Sequence, residues 1–378
     1  MYISAWPSLN PVSLVKRSTA YAPFPLASPA SSYFYVARNG IYHLMRSLQH
    51  QGRQVVLAPD YHHGNEIYAM KAAGAELRYY RIKRNLDVDL DSIADLCHVE
   101  PRPHVLYLTH FIGWPQPMTK IQALCREKNL ILIEDCALSF MSDVEGKPLG
   151  GFGSYSVFCL YKTLPLPNGA VLVANKDALV NQLSVDPCSL MSAAGPTVDL
   201  VLRWIRSRYE TCGRALVALK GAAGRALTSM KVSRVPVGNT GFDISTANIG
   251  MSPICHSLLR RFEFELIKER RRRNFRAMTD RLRGNVAVLE KRLSEGVCPL
   301  FFPLIARDKE VASTALAERG IETIQFWNSG DPESCRKGSD AEFLRRHLLE
   351  VPIHQDLTLD AVEYMAEQIL RLRLGMTT

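Results

Sequence analysis

Lys162 stands alone in "YSVFCLYKTLPLPNGAVLVAN", Tyr155 to Asn175, between an apolar run and a proline-rich turn that ends at Gly169. Two readings fit it: a solvated lysine at a strand end, or an amine held at the mouth of a site as a nucleophile. Upstream by 27 residues, "LILIED" ends in Glu134 and Asp135. A lysine and a carboxylate on one sheet edge are the groups pyridoxal phosphate uses. The amine condenses with the aldehyde, and the carboxylate keeps the ring nitrogen protonated so that the ring accepts electrons. The pair alone does not choose, because α/β proteins commonly carry such residues, and Asp135 would also serve as a helix N-cap.

The elements that must position these residues are read from apolar spacing. "RNGIYHLMRSLQHQG", Arg38 to Gly52, has helical spacing at Ile41, Leu44, Met45 and Leu48 and a glycine stop. "QVVLAPD", "ELRYYRI", "HVLYLTH" and "LILIED" read as buried strands, separated by helices at "NEIYAMKAAGA" and "KIQALCREKN". Unalternating apolar strands between helices predict an α/β fold with a mostly parallel sheet covered on both faces. Ligands in such folds bind beyond the C-terminal strand ends. Asp60, Tyr61, His62, His63, His110, Glu134 and Asp135 gather at those ends, and "THFIGWPQP" adds Trp114 to the same edge.

Beyond the turn-rich "VEGKPLGGFG", the runs "YSVFCLY" and "AVLVAN" flank Lys162. Asp199 to Arg234 reads as helical and basic, with eight Lys or Arg against two acids. "SLLRRFEFELIKERRRRNFRAM" predicts one long helix, with "KERRRR", Lys268 to Arg273, on its solvated face. After it come expected strands "VCPLFFPLIA", "GIETIQFW" and "HLLEVPIH" and helices "KEVASTALAERG" and "TLDAVEYMAEQILRLRL". Trp327 and Asn328 fit either a turn or a substrate contact.

The chain has 378 residues, a net charge of +9 and nine cysteines without a CxxC pair. Reduced thiols and a cytoplasmic protein are expected. The N-terminus does not read as a signal peptide, and no window approaches the roughly 20 apolar residues of a membrane span. Aromatics are too irregular for a nucleic-acid stacking platform, so no nucleic-acid partner is expected. The basic segment could meet anionic lipid through Trp204 and its arginines. A helical subdomain near the site, or one supporting a dimer, is the favoured expectation.

In order and spacing the chain resembles the DegT/StrS-type pyridoxal-phosphate aminotransferases, which act mainly on keto sugars, from about Arg38 to the C-terminal helix. "LILIEDCA" is similar to the family strand ending in Glu-Asp-Ala-Ala, which implies Asp135 at the pyridine nitrogen. "YKTLPLPNGAVLVAN" resembles the segment of the Schiff-base lysine, which falls on Lys162. "APDYHHGNEIYAMKAAGAELRYYRI" implies ring stacking by His63, with His62 one slip away. "ARNGIYHLMRSL" resembles the phosphate-binding turn and helix, with Arg38 and Asn39 at the turn; a helix N-terminus favours an anion there. Phosphate contact also falls on Ser156. "NIGMS" resembles an Asn-x-Arg-Met stretch, so Asn248 would complete a neighbouring subunit's site. "HLLEVPIHQDLTLDAVEYM" is similar to the closing strand, turn and helix. Three positions depart from the pattern: Leu138 replaces His or Gln, Val157 replaces Ser and Gly250 replaces Arg.

The resemblance implies a fold-type-I α/β architecture and a homodimer with shared sites. The large cofactor-binding domain would run over 33–250, with a basic helical insertion at about 190–235. Residues 251–378 would form the small C-terminal domain and 1–32 an extended segment. The implied activity is transfer of an amino group, L-glutamate being the expected donor, to a nucleotide-linked keto sugar in polysaccharide biosynthesis. A lysine rather than histidine at 162 favours transamination over dehydration. A non-sugar aldehyde or ketone, or a cofactor-binding regulatory or scaffold protein without turnover, are the alternatives.

Overall fold

The computed structural model describes residues 1–15, 21–175, 185–229, 241–289, 291–328, 330–334 and 336–376. The end of the basic segment, 230–234, and Cys335 lie outside them. The central sheet is built from β1 (Ser31–Phe34), β2 (Val55–Pro59), β3 (Glu76–Tyr80), β4 (Val105–Thr109), β5 (Ile131–Asp135), β8 (Tyr155–Cys159) and β9 (Ala170–Ala174), with a two-residue pair β6 (Asp143–Val144) and β7 (Lys147–Pro148) beside it. Its order is β1-β9-β8-β5-β4-β2-β3. All pairings from β3 to β8 are parallel, and β9 alone runs the other way, antiparallel to both β8 and β1. The expected mostly parallel α/β sheet is present.

β2, β4, β8 and β9 are buried at every residue, as a sheet covered on both faces demands. Helix α1 (Ala37–His50) covers one face with Ile41, Leu44, Met45 and Leu48, joined by α2 (Asn65–Ala72). Helices α3 (Leu90–Leu96) and α4 (Met118–Glu127) lie in the connections on the other side, where Leu57, Leu106 and Leu108 share a core with the C-terminal strands.

After β9 the chain forms a helical hairpin, α5 (Leu190–Arg208) and α6 (Glu210–Ser229), in the basic segment. Lys220 ties the two helices by pairing with Asp199 and donating to Gly195 O at 3.0 Å. Gly213 lets them meet closely: a Cβ there would sit 2.3 Å from Arg206 Cα. The expected single helix at 257–278 is two, α7 (Pro253–Leu259) and α8 (Phe264–Leu282). The break at 260–263 allows Phe262 and Phe264, two apart, both to be buried in one core, which a continuous helix would prevent.

The C-terminal body pairs β10 (Phe301–Ile305) antiparallel with β11 (Leu348–Pro352) and packs α9 (Lys309–Glu318), α10 (Asp340–His347) and α11 (Leu359–Arg371) around them. "GIETIQFW" is not a strand; it contributes only isolated bridges at Ile321 and Ile324. The N-terminal residues are bound rather than loose. Ile3 bridges Ile321, the Ser8 hydroxyl donates to Asp356 Oδ2 at 2.9 Å, and Leu9 N–H donates to Leu200 O at 3.1 Å. The eight described cysteines are all free thiols.

The arginine run is a solvated face only in part: Glu269, Arg270 and Arg273 are exposed, but Arg271 is not. In α8 the buried positions include Phe264, Ile267, Arg271, Phe275 and Met278, so Arg271 falls on the inward stripe. It is 1% exposed. Its Nε donates to Gln355 Oε1 (2.9 Å), Nη1 to Leu300 O (2.9 Å) and Nη2 to Thr163 O (3.0 Å). Only the planar fork reaches all three acceptors. Arg271→Lys should therefore lower stability by on the order of 2 kcal/mol, from carbonyls left unpaired. Arg270→Lys, on the exposed face of the same helix, should change it by less than about 0.5 kcal/mol. Urea unfolding of both variants checks this.

Candidate active site

Lys162 closes a short 3-10 turn, Leu160–Lys162, immediately after β8. Its backbone is pinned on both sides. Leu160 is fully buried and donates to Gly169 O (3.0 Å), while Gly169 N–H donates to Tyr35 O (2.8 Å). Gly169 has φ +123°, and a Cβ there would lie 2.7 Å from Met251 Sδ, so no other residue suits the position. On the far side Thr163 O is held by Arg271 and by Gln355 Nε2 at 3.2 Å. The Lys162 Nζ sits 5.4 Å from the centroid of the Phe326 ring.

Beyond the C-terminal strand ends lies a cavity of about 550 Å³, within the size range of small-molecule sites. Thr109, Asp135 and Cys159 line it from the ends of β4, β5 and β8, and His63, Asn65 and Glu66 from the segment after β2. Arg38, Ala37 and Val36 bring the start of α1, and Lys162 and Tyr161 the turn after β8. Trp6, Pro7, Leu200, Arg203, Phe326 and Trp327 complete the wall.

Asp135 is nearly buried, and Oδ1 accepts from the Ala137 amide at 2.9 Å. Burial, then the like charge of Glu66, push its pKa up, against that amide and Lys162. Glu66 is also raised, chiefly by burial; its Oε1 accepts from His63 N–H at 2.9 Å. His63 is lowered to about 4 by burial and by the nearby cations Lys162 and Arg38, so its ring is neutral near pH 7.

The two adjacent histidines are separated clearly. His63 lines the cavity, whereas His62 faces the C-terminal body, its Nε2 2.9 Å from Ser334 Oγ and its ring stacked on Tyr79. Arg38, Asp135 and Lys162 join His63 around the cavity. Asn39 does not line it: its Nδ2 donates to Thr246 O at 2.8 Å. Asn248 is exposed and outside the cavity of its own chain. Ser156 is not brought to the site. It pairs in register with Glu134 and so shares that residue's sheet face, opposite Asp135, where its Oγ would meet a Cβ on Gly150 at 2.9 Å.

His110 and Trp114 also stay outside. The Trp114 indole donates to Arg292 O at 3.0 Å. His110 Nδ1 accepts from Gln116 N–H (3.2 Å) and Nε2 donates to Glu134 Oε2 (3.1 Å). Burial opposes the charge on Glu134, yet His110 and the amides of Gly150, Phe152 and Gly153 hold its pKa below the usual range. His110, Glu134 and Cys136 are close enough to suggest a metal site, but Glu134 already has both oxygens engaged.

Trp327 lines the cavity, while Asn328 turns away to Gln325 Oε1 at 2.9 Å. The aromatic wall is clamped from behind. Glu350 Oε2 accepts from Phe326 N–H (3.1 Å), Lys309 Nζ donates to Phe326 O (3.1 Å), and Arg345 Nη1 donates to Trp327 O (2.8 Å). These bonds hold Trp327 at φ +60°, a conformation side chains rarely adopt. Sequence reasoning did not name Glu66, Tyr161, Trp6 or Arg203. Glu66 reads as an ordinary acid in a helix first turn, Tyr161 sits in the lysine segment without a distinguishing signal, and Trp6 and Arg203 come from segments without a motif.

The donor set fits pyridoxal phosphate. Val36, the N-cap of α1, makes no side-chain capping bond, and Val36, Ala37 and Arg38 bring that helix N-terminus, which favours an anion, to the cavity wall. Asp135, whose charge is disfavoured by burial, would gain from a cationic ring N–H.

Residues 39–199 match the model of the DegT/DnrJ/EryC1/StrS aminotransferase family. A stretch of 158 residues is 30% identical to a dTDP-4-dehydro-2,3,6-trideoxy-D-glucose 4-aminotransferase of Saccharopolyspora spinosa, covering 40% of each chain. A stretch of 75 residues is 37% identical to the GDP-perosamine synthase of Escherichia coli O157:H7, 19% of this chain and 21% of that protein. The matches thus span less than half the length of these curated relatives. Helicobacter pylori PseC, an aminotransferase involved in the biosynthesis of pseudoaminic acid, superposes with a TM-score of 0.70 at 14% identity, covering 98% of this chain and 99% of that one. The aminotransferase TlmJ from Streptoalloteichus hindustanus gives 0.68 at 17% identity, covering 98% of each. At such identities the superpositions show the fold, that of fold-type-I aminotransferases.

The two histidines allow a test of the local electrostatics. Burial, then Arg345, lower His62 to about 3, so below pH ~6.5 the unfolded chain takes a proton that the folded chain refuses. Its contribution to stability is therefore intact above that pH and falls as pH drops. His62→Gln should gain on the wild type by up to roughly 1.4 kcal/mol per pH unit between pH 6 and 4. Urea unfolding at several pH values checks it; a constant difference would contradict the assignment.

Proposed function

We propose, from the premise that the chain belongs through residues 39–199 to the DegT/DnrJ/EryC1/StrS aminotransferase family, that it is a pyridoxal-phosphate-dependent aminotransferase acting on a nucleotide-linked keto sugar. L-glutamate is the expected amino donor. The observation that carries the reading is the meeting of Lys162, Asp135, His63, Arg38 and the uncapped start of α1 around one cavity. The names of the relatives, which include a dTDP-sugar aminotransferase and a GDP-perosamine synthase, support the acceptor class.

When bound, pyridoxal phosphate supplies an aldehyde that captures amines and a ring that accepts electrons from the substrate carbon. Lys162 is the amine for that aldehyde. Its Nζ, when free, would hold and return the proton that moves during transfer, as general base and then acid. Asp135 keeps a proton on the ring nitrogen. Arg38 and the first-turn amides of α1 bind phosphate. The neutral His63 ring presents a flat face for stacking, and Phe326 with Trp327 excludes water. Asn248, exposed and away from its own cavity, is read as serving the site of a second copy, which makes the working unit a homodimer. Among the described residues no helix is long and apolar enough to cross a membrane.

Purified protein loaded with pyridoxal phosphate should be yellow, and L-glutamate should bleach it. Lys162→Ala should abolish the visible band and reduce turnover by at least about a thousandfold; Asp135→Asn should keep a band but lose about a hundredfold or more in rate. A loaded protein that L-glutamate leaves unchanged would point to another donor or to a chain without turnover. Protein that takes up no cofactor would overturn the roles of Lys162 and Asp135. Turnover of a simple aldehyde but of no nucleotide-linked keto sugar would move the acceptor to a non-sugar carbonyl.

A further inference from the structure

Helix α5 contributes Pro196, Asp199, Leu200 and Arg203 to the cavity wall, a spacing that lays one helix face along it. Most of the residues read as holding the cofactor lie within the stretch matching the family, which ends at 199. Beyond that point the described lining residues are Leu200, Arg203, Phe326 and Trp327, with Arg203 their only cation.

Arg203 is held in place without being neutralised. Its Nη1 donates to Pro7 O at 3.2 Å, and the backbone beside it is fixed by Leu9 N–H donating to Leu200 O at 3.1 Å. The nearest acid along the helix, Asp199, pairs instead with Lys220 of α6. Among the described residues Arg203 has no carboxylate within ion-pair distance, and the indole of Trp6 and the rings of Phe326 and Trp327 line the same cavity.

We propose that Arg203 binds an anionic group of the substrate, at a subsite that the basic hairpin adds to the cavity. The proposal rests on the aminotransferase reading for the identity of the substrate but not for the presence of the site. A nucleotide phosphate of the acceptor and a carboxylate of the donor share the chemistry a guanidinium recognises. The charge in the α5–α6 hairpin thus acts, at this position, on a small molecule.

The test uses the full-length, cofactor-loaded protein and three probes: pyrophosphate and uridine diphosphate by calorimetry, and L-glutamate by bleaching of the visible band. Arg203→Gln keeps a donor for Pro7 O and removes the charge; Arg203→Lys keeps the charge. Arg203→Gln should weaken at least one probe by roughly ten- to a hundredfold, with Arg203→Lys less affected and the melting temperature unchanged. Arg208→Gln, an exposed change on the same helix, should alter none. Loss confined to uridine diphosphate and pyrophosphate assigns the subsite to the acceptor; loss confined to L-glutamate assigns it to the donor. Equal affinities of Arg203→Gln and wild type for all three probes overturn the proposal. If pyrophosphate binding depends on Arg203 while L-glutamate never bleaches the loaded wild type, the anion subsite stands and the glutamate donor falls.

Discussion

The guanidinium of Arg271 is the constraint on which the site depends. A buried charge without an ion-pair partner is costly, and the cost is offset only if its N–H groups all find acceptors. Here the acceptors come from three distant parts of the chain: Thr163 beside the lysine, Leu300 at the entrance to β10, and Gln355 after β11. Burial still draws its pKa down to about 10, which leaves it charged at any pH the protein meets. One side chain thereby fixes the backbone that presents Lys162 relative to the C-terminal body. The strong demand for complete hydrogen bonding is what makes the arrangement specific.

The electrostatics of the cavity follow from that enclosure. Asp135 and Glu66 oppose each other's charge in a place poor in water, and both are pushed toward the neutral form. His63 is driven the same way by burial, Lys162 and Arg38. The cavity thus disfavours charge on its acids, chiefly by burial, and leaves its histidine neutral near pH 7. The aromatic wall opposite depends on a second buried pair, Lys309 and Glu350, gripping the two polar ends of Phe326. Burial, opposed by Lys309, lifts Glu350 to about 8.

Much of this could be read in the sequence, where local spacing and tertiary structure agree. The strands ending at Pro59, Thr109 and Asp135 are short apolar runs with clear stops, and the lysine turn carries its own glycine. His63 and Arg38 are singled out by the family resemblance, which puts them beside those elements. What could not be read was decided by packing across the chain. Arg271 sits in a run of four arginines, and nothing local distinguishes the one that faces inward. Ser156 depends on strand parity: a shift of one residue moves a side chain to the opposite face. "GIETIQFW" has strand composition but spends its polar groups on the loop that carries Phe326 and Trp327, where Trp327 has positive φ. Trp6 and Arg203 reach the cavity only because residues 1–15 lie against α5 and the C-terminal body.

That seam bears on the order in which the protein can be completed. Ile3 meets residue 321, Ser8 meets residue 356 and Leu9 meets residue 200, so Trp6 and Pro7 cannot take their places until both the helical hairpin and the C-terminal body exist. Contacts over such separations form late, since the closure entropy of long loops must be met first. During synthesis the sheet and its lysine turn can assemble while one wall of the cavity is still missing. The binding site is therefore a product of the finished chain, and a nascent or truncated chain with a sound sheet would still lack it.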